Sequence, residues 1–346
     1  MSIPISHFDY DLPELYIAQE SIEPKDQSKL LVLDKKNGKI EHSRFFKIGQ
    51  FLCDDDVLVF NKTKVFKARL QGKSESGHKI ELFLLRARDN GWEAMIRPGR
   101  KVPVGSSIKL VGANGRSPVL SVRVFEKHEN GSVLIDFGAR VDEVLDYCDR
   151  FGSVPTPPYV RQTTDEAKYQ TVYAEQVGSV AAPTAGFHFT DRLLDELRDR
   201  GIQMEFVTLH VGIGTFQPVK TDTLEEHAMH AEFVEIDVGT AERITQAKQS
   251  GRRVIAVGTT TTRALEGAAS APGKIESFSG DVNIFFTPGY EFKIIDSLIT
   301  NFHLPKSTLL AMVSSLSTRE HILNAYEQAK ANNYRFYSFG DAMFIQ

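Results

Sequence analysis

A chain of 346 residues, 41% hydrophobic and 25% charged, has the composition of an ordinary folded protein and the length for two domains, or for one large domain carrying an insertion. Its only cysteines, Cys53 and Cys148, are too few for a disulfide framework or a cysteine-built zinc site, and no uncharged stretch approaches the roughly 18 apolar residues of a membrane span. A net charge of −4 argues on its face against a nucleic-acid partner, but the charge is unevenly spread.

Taken in chain order, Met1–Tyr10 carries His7 and Asp9 and no apolar run behind a basic stretch, so the sequence predicts no secretory signal and a cytoplasmic protein. Between Asn61 and Phe125 fourteen Lys or Arg face four acidic residues, a net of +10 that leaves −14 for the rest of the chain. From Ala94 to Phe125 there are six basic residues and no acidic one, three of them on the turn Arg97-Pro98-Gly99-Arg100-Lys101. Such a segment suits a phosphate backbone; it is equally the solvated surface of a strand. Trp92, the single tryptophan, is either a stacking platform for an unpaired base or a core residue. The same segment reads as strands at Ile80–Arg86, Trp92–Ile96, Ser107–Val111, Val119–Phe125 and Ser132–Phe137, parted by Gly and Asn turns, which suggests a small barrel. A helical period first appears at Val141–Phe151, and Pro155, Pro157 and Pro158 mark a boundary. Beyond it the style changes: a helix Asp191–Arg200, capped by Thr190 and closed by Gly201, runs into a strand Met204–Leu209. Thr240–Ser250 followed by Arg253–Val257 repeats that order. Helices at Ser307–Ser315 and Arg319–Ala331 precede a last strand near Tyr334–Phe339. The expected class is therefore α/β: a mixed α/β main domain, 1–63 together with 158–346, with an inserted small antiparallel β-barrel domain, 64–157.

Four segments carry residues suited to chemistry. Val257-Gly258-Thr259-Thr260-Thr261-Thr262-Arg263 stands where a strand gives way to a helix, a place where ligands collect in α/β sheets; its free N–H groups suit a carboxylate or phosphate, and a plain Thr-capped helix is an equally good reading. It has neither the Gly-Lys-Ser/Thr ending of a nucleoside-triphosphate loop nor a Gly-x-Gly-x-x-Gly pattern. Ser179-to-Thr190 is small and uncharged except for His188, and Val207-to-Phe216 is a strand running into a Gly-rich loop with His210, Gly212 and Gly214. Either histidine is a candidate acid or base near neutral pH, and singly each is as well explained as a hydrogen-bonded structural residue. Asn301-Phe302-His303-Leu304-Pro305-Lys306-Ser307-Thr308 places His, Lys and hydroxyls before a helix. His227-Ala228-Met229-His230, even with His188, His210 and His303, shows no ligand motif of established spacing, so no metal is expected.

At these residues the chain resembles the S-adenosylmethionine:tRNA ribosyltransferase-isomerase family of queuosine biosynthesis, almost end to end. The hallmarks stand in the family's order: Tyr10-Asp11-Leu12-Pro13-Glu14 with Ile17-Ala18-Gln19, Leu58-Val59-Phe60-Asn61, Arg97-to-Lys101, Tyr169-Gln170-Thr171-Val172-Tyr173-Ala174, Ala181-to-Thr190, Val207-to-Phe216, Val257-to-Thr260 with Arg263, Asn301-to-Leu309, and Gly340-Asp341-Ala342-Met343. Three positions depart from it: Lys67 where a proline is usual, Gln217 where an arginine usually precedes Pro218, and Lys29 where an arginine is common.

The resemblance implies an enzyme that moves the ribosyl part of S-adenosylmethionine to the aminomethyl group of a 7-deazaguanine in the wobble position of tRNA. Adenine and methionine leave, and the sugar becomes an epoxycyclopentanediol. That chemistry asks for a base beside the sulfonium, a donor for departing adenine and a holder for the methionine carboxylate. These are assigned to His210 or His188, to the Asp11 and Thr184 neighbourhood, and to Thr259, Thr260 and Arg263, with Gly212 and Gly214 shaping the donor loop. Arg97, Arg100 and Lys101 are expected to meet tRNA. S-adenosylmethionine is a consumed substrate, no further cofactor or membrane is expected, and a monomer is anticipated. The rival readings are a non-catalytic tRNA-binding protein, distinguished by lack of turnover, and a metal hydrolase acting on RNA, distinguished by copurifying zinc.

Overall fold

The computed structural model describes residues 2–111, 120–155, 159–160, 166–212, 221–227, 229 and 231–346. Contacts divide the chain into two compact units, one made of Met1–Thr63, Tyr159–Gln176 and Pro183–Gln346, the other of Lys64–Pro158 and Val177–Ala182. Val177–Ala182, which the sequence reading gave to the main domain, goes with the inserted unit because the Phe66 N–H donates to the Ser179 carbonyl.

The chain enters the main unit with β1 (Lys29–Leu33), β2 (Ile40–Arg44) and β3 (Val57–Asn61), and leaves it through β4 (Thr63–Val65). The inserted unit follows as β5 (Arg69–Ser74), β6 (Lys79–Arg88), β7 (Gly91–Arg97), β8 (Ser107–Val111), β9 (Ser121–Lys127) and β10 (Val133–Asp136), then helix α1 (Val141–Phe151). These six strands close into a barrel in the order β10-β7-β6-β5-β8-β9, antiparallel throughout. Closure follows from a period of two: Leu70, Ile80, Leu82, Leu84, Trp92, Ala94, Ile96, Ile108, Leu110, Val122, Val124 and Ile135 are buried while their neighbours along each strand lie outward. Trp92 is thus a core residue, packed near Phe66 and Phe137, and the base-stacking alternative is withdrawn.

The chain returns through β11 (Gln176–Ser179), which pairs with β4. The main unit resumes with α2 (Asp191–Asp199), β12 (Gln203–His210), β13 (Glu232–Ile236), α3 (Val238–Gln249), β14 (Val254–Val257) and α4 (Thr259–Gly267). A hairpin of β15 (Ala269–Ala271) and β16 (Lys274–Ile275) precedes β17 (Phe278–Val282), β18 (Ser297–Asn301), α5 (Thr308–Ser315), α6 (Arg319–Ala331) and β19 (Ala342–Ile345). Helices α2, α3, α5 and α6 are capped by side-chain hydroxyls and a carboxylate, Thr190, Asp237, Ser307 and Thr318, each accepting from a first-turn N–H. With Asp237 as its cap, α3 starts at Val238, two residues before the expected Thr240.

The last strand is displaced from its expected place. Tyr334–Phe339 is aromatic at four of its six positions, which suits a strand, yet the backbone there turns at Tyr337 (φ 75°), and Tyr334 and Phe336 are drawn into an aromatic cluster with Tyr10, Phe302 and Tyr326. The strand is instead Ala342–Ile345, fully buried between β1 and β18.

Nine strands form one sheet in the order β17-β13-β12-β3-β14-β18-β19-β1-β2. β12, β3, β14 and β18 run parallel, so their carboxyl ends share one edge, and the amino ends of β19 and β1 meet them there because β19 is antiparallel to β18. The chain leaves β3 for one neighbour, β12, and later reaches the other, β14, which makes the end of β3 a topological switch point. Leu58, Phe60, Ile255, Val257 and Ile299 on one face form a core with Phe189, Leu193, Leu194 and Leu197. At the far end of α4, the buried Glu266 carboxylate accepts from the N–H groups of Lys293 (2.8 Å), Ile294 (2.9 Å) and Ile295 (3.0 Å), tying that helix to the segment that enters β18.

Candidate functional site

β3 ends on Asn61, a fully buried carboxamide with every hydrogen-bonding position of its side chain engaged. Its Oδ1 accepts from the N–H of Leu209 (3.0 Å) and of Thr63 (3.1 Å); its Nδ2 donates to the Leu209 carbonyl (3.0 Å) and to Thr260 Oγ1 (3.2 Å). Because two backbone donors point at one end of the amide, its orientation is fixed by the network. One side chain thereby holds the end of β12, the exit of β3 and the start of α4 in register.

His210, the next residue after Leu209, is half-buried, stacks on Phe233 with ring centroids 5.8 Å apart, and places Nδ1 2.8 Å from Thr63 Oγ1. Burial lowers its pKa to about 4, so the imidazole is neutral at physiological pH. Among the described residues the ring has no second hydrogen-bond partner. Gly212 follows with its N–H on Glu232 Oε1 (3.2 Å), and Glu232 Oε2 lies 2.7 Å from Arg263 Nη1, both side chains buried. The Arg263 guanidinium is therefore matched by a carboxylate of the protein itself rather than presented as an open charge.

α4 begins after Gly258, whose φ of 94° favours glycine, and which faces Ala185 across the loop. Of the four threonines, Thr261 Oγ1 donates to the Val257 carbonyl (2.7 Å) and Thr262 Oγ1 to the Gly258 carbonyl (3.3 Å). Thr259 opens the helix and Thr260 Oγ1 accepts from Asn61 Nδ2, beside first-turn N–H groups and the positive end of the helix dipole.

The second carboxamide at this edge is Asn301, at the end of β18. Its Nδ2 donates to His188 Nε2 (3.2 Å) and its Oδ1 accepts from Thr184 Oγ1 (3.1 Å), while His188 Nδ1 meets Ser28 Oγ (2.7 Å). Both ring nitrogens of His188 are thus occupied within the fold. Its pKa falls to about 3, first through burial and then through Arg335 and Lys25. His303 behaves alike: buried, its Nε2 2.9 Å from Thr300 Oγ1, its pKa lowered to about 3 by burial. Tyr10 donates to its carbonyl.

The edge therefore assembles His210, Thr259, Thr260, Gly212, Thr184 and His188, and adds Asn61 and Asn301, which the sequence reading did not single out. Asp11 is not drawn into this network: its carboxylate is exposed and its carbonyl accepts from Lys330 Nζ. Gly214, Gln217 and His230 lie outside the described residues. Arg97, Arg100 and Lys101 are exposed in the barrel unit, at the end of β7 and on the short turn after it. Lys67 pairs with Asp149 (3.1 Å), and Lys29 donates to the carbonyls of Asn332 (2.7 Å) and Asn333 (2.8 Å), so both departures from the family pattern have partners. Among the described residues one group of ligand-type atoms gathers, Cys53, Asp55 and Asp56, but Asp56 is already engaged by Arg253 (2.6 Å) and the Cys53 N–H (2.8 Å).

Against known proteins, a family model described as queuosine biosynthesis protein matches residues 5–345. The chain belongs to that family. It is 46% identical over 344 residues to an S-adenosylmethionine:tRNA ribosyltransferase-isomerase of Macrococcus caseolyticus, covering 99% of each chain. To the proteins of the same description from Moorella thermoacetica and Acetivibrio thermocellus it is 49% identical over 344 and 348 residues, again covering 99% of each. The crystal structure of an S-adenosylmethionine tRNA ribosyltransferase from Thermotoga maritima is 34% identical, with a TM-score of 0.57 over 99% of this chain and 100% of that one. The recognised family and the mixed α/β fold with a closed antiparallel barrel both stand.

His188 and His303 make a testable demand on stability. Each is held neutral when folded but protonates near its ordinary pKa of about 6.5 when unfolded, so below that pH the unfolded chain binds more protons and stability falls as pH falls. Urea unfolding between pH 6 and pH 4 is expected to lose up to about 1.4 kcal/mol per pH unit for each such imidazole, and His303→Gln to flatten that slope. A profile unchanged by the substitution contradicts the buried-neutral assignment.

Proposed function

We propose that this chain transfers and isomerises the ribosyl moiety of S-adenosylmethionine onto 7-aminomethyl-7-deazaguanine in the wobble position of tRNA, giving epoxyqueuosine-tRNA with release of adenine and methionine. The observation that carries this reading is the full-length match to proteins of that activity, at 46–49% identity. The geometry at the sheet edge supports it. A donor with its methionine carboxylate on the first-turn N–H groups and hydroxyls of Thr259 and Thr260 lies at the topological switch point, beside His210.

His210 is the proposed base. In the tautomer whose Nδ1–H donates to Thr63 Oγ1, Nε2 carries the lone pair, and the low pKa keeps that lone pair available throughout the physiological range. The proton it takes is on the ribosyl carbon bonded to the sulfonium sulfur, whose positive charge acidifies it. His188, engaged at both nitrogens, is instead a positioning residue for Asn301 and Thr184, and help for departing adenine falls to the Thr184–Asn301 pair rather than to Asp11. Arg263 orients Glu232, which in turn holds the N–H of Gly212. S-adenosylmethionine is consumed, and the transfer as written needs no electron acceptor, metal or further cofactor. No helix among the described residues is long and apolar enough to cross a membrane; a monomer working on cytoplasmic tRNA completes the proposal.

The test of the reading incubates the protein with S-adenosylmethionine and tRNA carrying the aminomethyl-deazaguanine. Adenine and methionine release with a mass gain for an epoxycyclopentanediol is expected; tRNA binding without release favours a non-catalytic binder. His210→Gln is expected to lower kcat by about 10²- to 10⁴-fold with little change in the KM for S-adenosylmethionine. The wild-type rate should stay level from neutral pH down to about 5 and fall near pH 4, where the base protonates. Near wild-type turnover in the variant removes His210 from the role. For tRNA docking on the barrel, replacing Arg97, Arg100 and Lys101 together by Gln is expected to weaken binding and flatten its salt dependence; an unchanged slope rules out that surface.

A further inference from the structure

At the β1–β2 flank of the main unit, Lys29, His42, Ser43, Arg44, Lys47, Asn332 and Tyr334 line a cleft of about 360 Å³. No carboxylate lines it, although the chain outside the barrel segment is strongly acidic overall. Lys29, Arg44 and Lys47 have no ion-pair partner among the described residues; the first two are held instead by backbone carbonyls, Lys29 by Asn332 and Asn333 and Arg44 by Gln27 (2.9 Å). The floor is fixed: Tyr334, buried, donates to the Leu30 carbonyl (3.1 Å) and meets His42 Nδ1 (2.9 Å). The cationic surroundings are also visible at His42, whose pKa is lowered by burial and then by Lys29.

The bland account is that charges on β2, an edge strand, keep it from pairing with another chain. That accounts for His42 and Arg44. It does not account for Lys29, on the inner strand β1 and fixed by two carbonyls, or for Lys47, beyond β2 altogether. Three unmatched cations on a rigid floor, with tyrosine and asparagine between them, have the chemistry of a surface that holds consecutive phosphates. Their position is apt as well, since Ser28, which holds His188, directly precedes Lys29, whose N–H donates to Asp341 Oδ1 (2.9 Å) beside the amino end of β19.

We propose that this cleft binds the phosphodiester backbone of the RNA substrate while its modified base occupies the sheet edge; the inference rests on the function proposed above. RNA binding on this surface is separate from binding on the barrel.

The test compares wild type with Arg44→Gln/Lys47→Gln, both exposed positions outside the catalytic edge, using the modified tRNA. Binding is measured at several salt concentrations, and turnover over a range of tRNA concentrations. If each cation meets one phosphate, the plot of log affinity against log salt becomes shallower by about 1.4 to 1.8, the KM for tRNA rises, and kcat at saturating tRNA is unchanged. Arg44→Lys/Lys47→Arg should restore the slope. A double Gln variant with the wild-type slope and KM, while the wild type makes product, overturns the cleft and leaves the function standing. A wild type that makes no product overturns the function, and the salt slopes still decide whether the cleft binds RNA.

Discussion

The buried carboxamide of Asn61 is the constraint on which the catalytic edge depends. A parallel sheet exposes unpaired backbone groups where its strands end, and ligands gather there because those groups need partners. Here one amide satisfies the Leu209 N–H and carbonyl and the Thr63 N–H, and reaches Thr260 as well. It therefore sets where His210 stands, one residue beyond Leu209, and where α4 begins. Asn301 does comparable work two strands along the edge, joining Thr184 to His188. Two short amides thus fix the positions of the groups proposed to touch the donor, with few rotatable bonds between them and the sheet.

The same edge keeps its charge under control. Arg263 and Glu232 match one another within the fold, and His188, His210 and His303 are all held neutral by burial. S-adenosylmethionine brings its own sulfonium, so a site with spare positive charge would repel the centre that must be deprotonated. A neutral imidazole accepts a proton there without that cost, and the positive helix start acts at the far, carboxylate end of the donor. Stability and chemistry draw on one property, the dryness of the edge.

Much of this was legible in the sequence wherever a local rule decides. The period-two strands of the barrel, the amphipathic run Val141–Phe151 and the cap Thr190 are set by neighbours a few residues away. Strands β1 and β3 were not singled out, because fully buried strands are uninterrupted apolar runs with no alternation to read. Tyr334–Phe339 misled for the converse reason: its aromatic residues, which suit a strand, serve a cluster with Tyr10, Phe302 and Tyr326 instead. At the site, motif resemblance supplied the segments, but partnership decided the roles. Arg263 looked like a free charge until Glu232 met it, and His188 looked equivalent to His210 until Ser28 and Asn301 closed both its nitrogens.

The central claim is that the donor lies along the carboxyl edge of β12, β3 and β14, between His210 and the start of α4. The most direct measurement is a crystal structure with bound S-adenosylhomocysteine, which keeps the donor's shape without the reactive sulfonium. The account predicts its carboxylate on the N–H groups of Thr259 and Thr260, with the ribosyl carbon bonded to sulfur facing His210 Nε2. A ligand seated elsewhere, or one that turns its sulfur away from His210 while bound at the same edge, would contradict it.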